Sequence, residues 1–123
     1  RNNGLMAGLR PDEIDQRGLR PAFLHLYEPV GQTGESQWEL YLRAGRAIQD
    51  LLSRAPGRYL IVAHGGILNL AMYAILGITP HANLTGPRFR FRNASFAVLE
   101  YDPSRHSWMV DTLNDRAHWK QTD

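Results

Sequence analysis

The stretch YLIVAHGGILNLAMYAILG, residues 59–77, decides the fold. Tyr59 to Ala63 is a short apolar run without alternation, the pattern of a strand buried on both faces, as in a parallel sheet. His64, Gly65 and Gly66 follow at once, and Ile67 to Leu76 then reads as a helix ended by Gly77, with Pro80 beyond. A histidine between a buried strand and a helix sits at the carboxyl edge of the sheet, where open α/β folds bind ligands. The two glycines let the backbone turn sharply and approach a ligand closely. The helix start offers free N–H groups and the positive end of its dipole to an anion. An imidazole beside those donors makes a compact oxyanion or phosphoryl site. The alternative is a histidine that hydrogen-bonds a backbone carbonyl and merely holds the turn.

Outward from this stretch, the best-marked helix runs from Ser36 to about Ala55. Ser36 and Glu39 fit the S-x-x-E capping box. Tyr41, Ala44, Ile48, Leu51 and Ala55 form one stripe at helical spacing, and Pro56-Gly57 stops the helix. Pro11, Asp12 and Glu13 open a shorter helix that Gly18 ends, and PAFLHLY (21–27) is expected to add another turn or two of helix. Downstream, SFAVLEY (95–101) and WMVDTL (108–113) are strands joined across DPSRHS (102–107) as a hairpin. The order indicates an α/β fold with a mixed, mainly parallel sheet flanked by helices.

The composition bounds what such a fold can do. With 123 residues, the chain is at most one ordinary domain or a piece of a larger one. The apolar fraction of 43% is that of an ordinary globular chain, and no apolar run has the length of a membrane span. Without cysteine, disulfides and thiolate sites are excluded, and no histidine spacing indicates a metal site or any cofactor. The opening RNNGLMAGLRP shows neither an initiator Met nor a signal pattern, and is expected to lie within a longer chain.

The net charge of +2 hides an asymmetry. Residues 51–99 contain no Asp or Glu but do contain Arg54, Arg58, Arg88, Arg90 and Arg92, which suits an anionic ligand near His64. A buried middle of the domain would give the same depletion of acids. Phe89 and Phe91 alternate with the last three arginines, as on a strand with one apolar and one basic face. Three arginines make a small patch, so no nucleic-acid partner is expected.

The ordered set RNNGLMAG, GES (34–36), Arg43, LIVAHGG (60–66), RNAS (92–95) and LNDRAHW (113–119) resembles the C-terminal half of the histidine phosphatase superfamily, the phosphoglycerate mutase-like fold. The resemblance implies phosphoryl transfer between two histidines. A first histidine, in an Arg-His-Gly motif, attacks phosphorus and becomes phosphohistidine. A second, matched here by His64, contacts the phosphoryl oxygens and stabilises the transition state, while a carboxylic acid protonates the leaving oxygen. Gly65, Arg1 and Asn93 match substrate-side positions, with Arg1 reading otherwise as a flexible surface residue and Asn93 as a turn residue. His118 also matches a family position and reads as a packing residue.

No Arg-His-Gly occurs in these 123 residues, and the family acid would precede Arg1 by one position. The resemblance implies that the nucleophile lies in an N-terminal half of the same domain, and this portion alone is expected to be inactive. Position 69, often arginine in relatives, is Asn69. Esterases that place His-Gly-Gly after a strand need a G-x-S-x-G elbow downstream, and residues 67–123 contain none.

The expected activity is phosphatase action on small phosphomonoesters, the alternatives being mutase-type phosphoryl transfer or a phosphate-binding module without the nucleophile. The expected setting is cytoplasmic, with no membrane partner; self-association into a homo-oligomer is left open. Loops 1–34 and 78–92 are expected to shape specificity. Glu35 reads as an acid at a helix start, and Arg43 as a partner for Glu39 at i, i+4.

Overall fold

A computed structural model describes residues 1–119. The chain divides into two units, residues 1–87 and residues 88 onward.

The first unit holds three helices: α1 (Pro11–Gln16), α2 (Gln37–Leu52) and α3 (Gly65–Leu76). Pro11 starts α1, where its missing N–H costs nothing, and Asp12 and Glu13 follow in the first turn. Ser36 caps α2 as the sequence indicates, and α2 stops at Leu52, so Ala55 lies beyond it and is exposed. Leu40 and Ala44 are the buried residues of α2, whereas Tyr41, Ile48 and Leu51 are half-buried.

α2 packs on α3, whose buried residues are Leu70, Met72 and Tyr73. Gly45 allows close approach: a Cβ there would lie 3.8 Å from that of Ala74. Ile14, Leu19 and Val30 complete the core of the unit. Gly77, at φ +69°, ends α3 in the left-handed conformation that glycine adopts freely. The Tyr73 hydroxyl donates to the Pro87 carbonyl at 2.6 Å.

Segment 21–27 is not helical. Its backbone is tied sideways instead: Leu24 N–H donates to Asn83 Oδ1 at 3.2 Å, and Leu26 accepts from Trp38 N–H, also at 3.2 Å. These bonds take up groups that a helix would need for its own i, i+4 ladder.

The second unit is an antiparallel hairpin of β1 (Phe96–Asp102) and β2 (Ser107–Asp115), with Phe96 opposite Asp115 and Tyr101 opposite Trp108. The Tyr101 and Trp108 rings lie 5.0 Å apart, a cross-strand aromatic pair of the kind that fixes register. Register shifts flank Val98. Residues 88–92 form no strand, although the alternation survives: Phe89 and Phe91 are half-buried and Arg88, Arg90 and Arg92 are exposed. His118 stacks on Phe96 at 5.7 Å, the packing role read from the sequence.

The α/β class therefore stands, but the sheet among the described residues is this two-stranded antiparallel one. The expected parallel strand at 59–63 does not form, and Leu60 and Val62 are each 86% exposed. A parallel strand exists only between neighbours that satisfy its N–H and C=O groups and cover both its faces, and among the described residues none pairs with 59–63. Among the described residues, no helix is long and apolar enough to cross a membrane.

Candidate functional site

α3 begins at the glycines themselves, two residues before Ile67, and His64 is its N-cap residue with extended backbone (φ −94°, ψ 153°). The His64 carbonyl accepts the first helical bond, from Leu68 N–H at 3.1 Å. Its side chain is exposed. The imidazole makes no capping bond to the turn.

The N–H groups of the first turn of a helix have no acceptor within that helix, and α3 carries no acidic residue in its first turn. The end of the helix combines free donors, a positive dipole end and an uncommitted imidazole, an arrangement suited to an anion. Gly66 is exposed with no heavy atom within 4 Å of where a Cβ would stand, leaving space at the helix start. Asn69 donates from Nδ2 to the Gly65 carbonyl at 2.9 Å, securing the first turn from behind.

Arg1 lies in the same unit and is exposed. Burial of part of its guanidinium lowers its pKa, while the neighbouring Glu35 carboxylate opposes that shift. No hydrogen bond or ion pair joins Arg1 to His64 among the described residues. Asn93 belongs to the second unit, exposed in the turn before β1. No group of three or more His, Cys, Asp or Glu among the described residues is placed to hold a metal ion.

The role read for Arg43 requires correction. It does not pair with Glu39 but with Glu35, through a two-pronged bond: Nε to Oε1 at 2.8 Å and Nη2 to Oε2 at 3.0 Å. Glu39 is engaged elsewhere, accepting from Ser36 N–H at 2.8 Å in the capping box. Glu35 is therefore more than an acid near a helix start. The hydrogen bonds from Arg43 hold its pKa below the ordinary 4.5, against a smaller opposing effect of burial. An arginine eight residues after a glutamate matches no local spacing rule, so the pair was invisible in the sequence.

Comparison with known proteins adds the family. The model of the Histidine phosphatase superfamily (branch 1) matches residues 1–116. A protein named Probable phosphoglycerate mutase GpmB from Yersinia enterocolitica is 34% identical over 89 residues, which cover 69% of this chain and 40% of the relative. Proteins of the same name from Yersinia pestis and Yersinia pseudotuberculosis are 33% identical over the same extents. The match thus spans about 40% of the length of these relatives. No solved structure matches significantly. The chain, matched along nearly its whole length, belongs to the histidine phosphatase superfamily.

Proposed function

We propose that this chain supplies the phosphoryl-stabilising half of a phosphatase that cleaves small phosphomonoesters through a phosphohistidine intermediate. His64 is the second histidine, and it donates to phosphoryl oxygens together with the N–H groups of Gly65 and Gly66. The observation that carries this reading is the open start of α3, where an exposed, uncapping His64 precedes a first turn without acids.

In the reaction, a nucleophilic histidine attacks phosphorus, the P–O bond to the leaving group breaks, and an acid protonates the departing oxygen. Charge grows on the non-bridging oxygens during transfer. Donors fixed at a helix start stabilise that charge without having to reorganise. Water then cleaves the P–N bond, releasing phosphate and the free imidazole.

The nucleophile is proposed to reside in a portion of the domain outside these residues, because Arg-His-Gly is absent from them. The same portion would supply the strands that pair with 59–63 and cover Leu60 and Val62. Arg1 and Asn93 are proposed to contact the substrate.

Mutase-type transfer is the second reading, favoured by the names of the relatives. The test uses the complete protein that contains this chain. Hydrolysis of p-nitrophenyl phosphate, with an acid-labile phosphoryl adduct, supports the phosphatase. Faster interconversion of 2- and 3-phosphoglycerate supports the mutase. Neither activity, with phosphate still bound, leaves a phosphate-binding module.

A further inference from the structure

The first residues of the chain and the loop before α2 are locked together by backbone. Glu35 N–H donates to the Asn2 carbonyl at 2.9 Å, and Leu5 N–H donates to the Gly31 carbonyl at 3.0 Å. Gly4, at φ +54°, fills the gap between the segments. A Cβ there would collide with Gly34 N and stand 2.8 Å from the carbonyl oxygens of Val30 and Gly31. Glycine alone suits both the space and the left-handed backbone.

Gly4 also closes the one Asn-Gly pair of the sequence, Asn3-Gly4. Such a pair is chemically labile, because a glycine has no side chain to shield its amide nitrogen from the carboxamide before it. The Gly4 nitrogen gives its proton to a solvent base and bonds to Asn3 Cγ, and ammonia leaves. Water then opens the five-membered ring at either carbonyl. The products are aspartate and an isoaspartate whose main chain runs through Cβ, with one water consumed and one ammonia released. Asn3 is exposed, so water and base reach it.

Two features of the fold oppose ring closure. A flat ring needs Gly4 N eclipsed with Asn3 Cβ about the Cα–C bond. Asn3 has φ −92° and ψ 7°, which places its own backbone nitrogen in that eclipsed position and Cβ well away from it. The Gly4 N–H, whose proton must depart, donates to Asn2 Oδ1 at 2.9 Å. An asparagine side chain thus closes a turn onto the backbone two residues on. Rotating ψ would break that bond and draw Gly4 out of the gap. It would also disturb the bond from Met6 N–H to the Asn3 carbonyl, at 3.1 Å. Each backbone group freed in this way has to find another partner.

We propose that Asn3 is a modification site held latent by the fold. Conversion to aspartate and isoaspartate proceeds only when residues 2–5 part from loop 30–35, and the Asn2 side chain governs the release of the Gly4 N–H. The product carries a new negative charge two residues from Arg1.

The experiment follows Asn3 by peptide mass spectrometry in the complete protein, incubated in mildly alkaline buffer at a temperature where all variants stay folded. Conversion in the native protein is expected to be about tenfold or more slower than in the same protein unfolded in guanidinium chloride, since local opening must come first. Asn2→Ala removes the acceptor and is expected to convert about fivefold faster than wild type, the equivalent of one net hydrogen bond. Asn2→Asp keeps an acceptor oxygen and is expected to stay near the wild-type rate. Should Asn2→Ala fail to fold, hydrogen exchange at the Gly4 amide of the wild type decides, with slowing of about tenfold or more against the unfolded chain expected.

Equal rates in the native and unfolded wild type overturn the proposal, as does an Asn3 that stays intact in guanidinium chloride. So do an Asn2→Ala variant no faster than wild type, an Asn2→Asp variant as fast as Asn2→Ala, or an unprotected Gly4 amide.

Discussion

The starts of α2 and α3 show two ways of treating the same physical problem. Each helix begins with N–H groups that have no partner within the helix. At α2 the problem is solved locally: Ser36 Oγ accepts from Glu39 N–H at 3.1 Å and Glu39 accepts from Ser36 N–H at 2.8 Å, with Ser36 only 2% exposed. At α3 it is left open. His64 gives no side-chain cap, glycines occupy the first two positions, and no acid follows. One end is closed and serves stability; the other is unsatisfied and available to a ligand. Local rules are commonly broken at functional sites, and the contrast between these ends supports the proposed site.

The contrast breaks first at His64. In the complete protein, His64→Ala is expected to lower kcat about a hundredfold or more, the loss typical of an oxyanion-type donor, with little change in Tm because the side chain is exposed and uncommitted. An unchanged kcat in steady-state assays would return His64 to a turn residue and make the two ends equivalent.

Closing α3 electrostatically should sharpen the comparison. Gly66→Asp has open space for its side chain, so thermal denaturation should show a Tm that is unchanged or slightly raised by the helix dipole. The same carboxylate would repel a phosphoryl group, and KM should rise about tenfold, the equivalent of roughly 1.4 kcal/mol. A KM at the wild-type value would mean that anions do not approach this end.

Opening α2 should have the converse result. Ser36→Ala is expected to cost about 1 kcal/mol of stability in denaturant unfolding, as loss of an N-cap does, and to leave kcat within a factor of two. A large kcat loss at full folding would place chemistry at the closed end.

The smallest effect concerns Glu35 and pH. Its carboxyl is held below the ordinary 4.5 chiefly by the Arg43 hydrogen bonds. A carboxyl with a depressed folded pKa adds stability above its unfolded pKa and loses it as pH falls through the folded value. With Arg43 54% exposed, solvent screening limits the contribution to about 0.5 kcal/mol. Glu35→Gln should flatten the stability profile by that amount below about pH 4.5, seen by urea titration at pH 3 to 6. Parallel profiles would show that the pair adds nothing.

How much of this was legible depended on how local each determinant is. The capping box at Ser36 and Glu39 lies within four residues and could be read directly. So could the hairpin 96–115, whose strands are joined by a short turn, and the glycine end of α3. The apolar run at 59–63 reads as a strand, but a parallel strand is a property of its neighbours, and the described residues do not provide them. The helical expectation for 21–27 failed for a similar reason: its backbone partners, Asn83 and Trp38, lie far away in sequence.

At the proposed site, His64 and its glycines could be singled out because the glycine-led start of a helix is a local signal. Glu35 with Arg43 escaped because the pair exists only once the loop 28–35 has folded against residues 2–5. Periodicity pointed to Glu39 instead, a residue already committed to its own cap.

The most direct test of the central claim is the rate at which the complete protein becomes phosphorylated, followed by intact mass after mixing with p-nitrophenyl phosphate and rapid quenching. The expected result is an acid-labile adduct of one phosphoryl group in the wild type, forming about a hundredfold or more slower in His64→Ala. Equal rates in the two proteins would contradict the claim that the open end of α3 stabilises phosphoryl transfer.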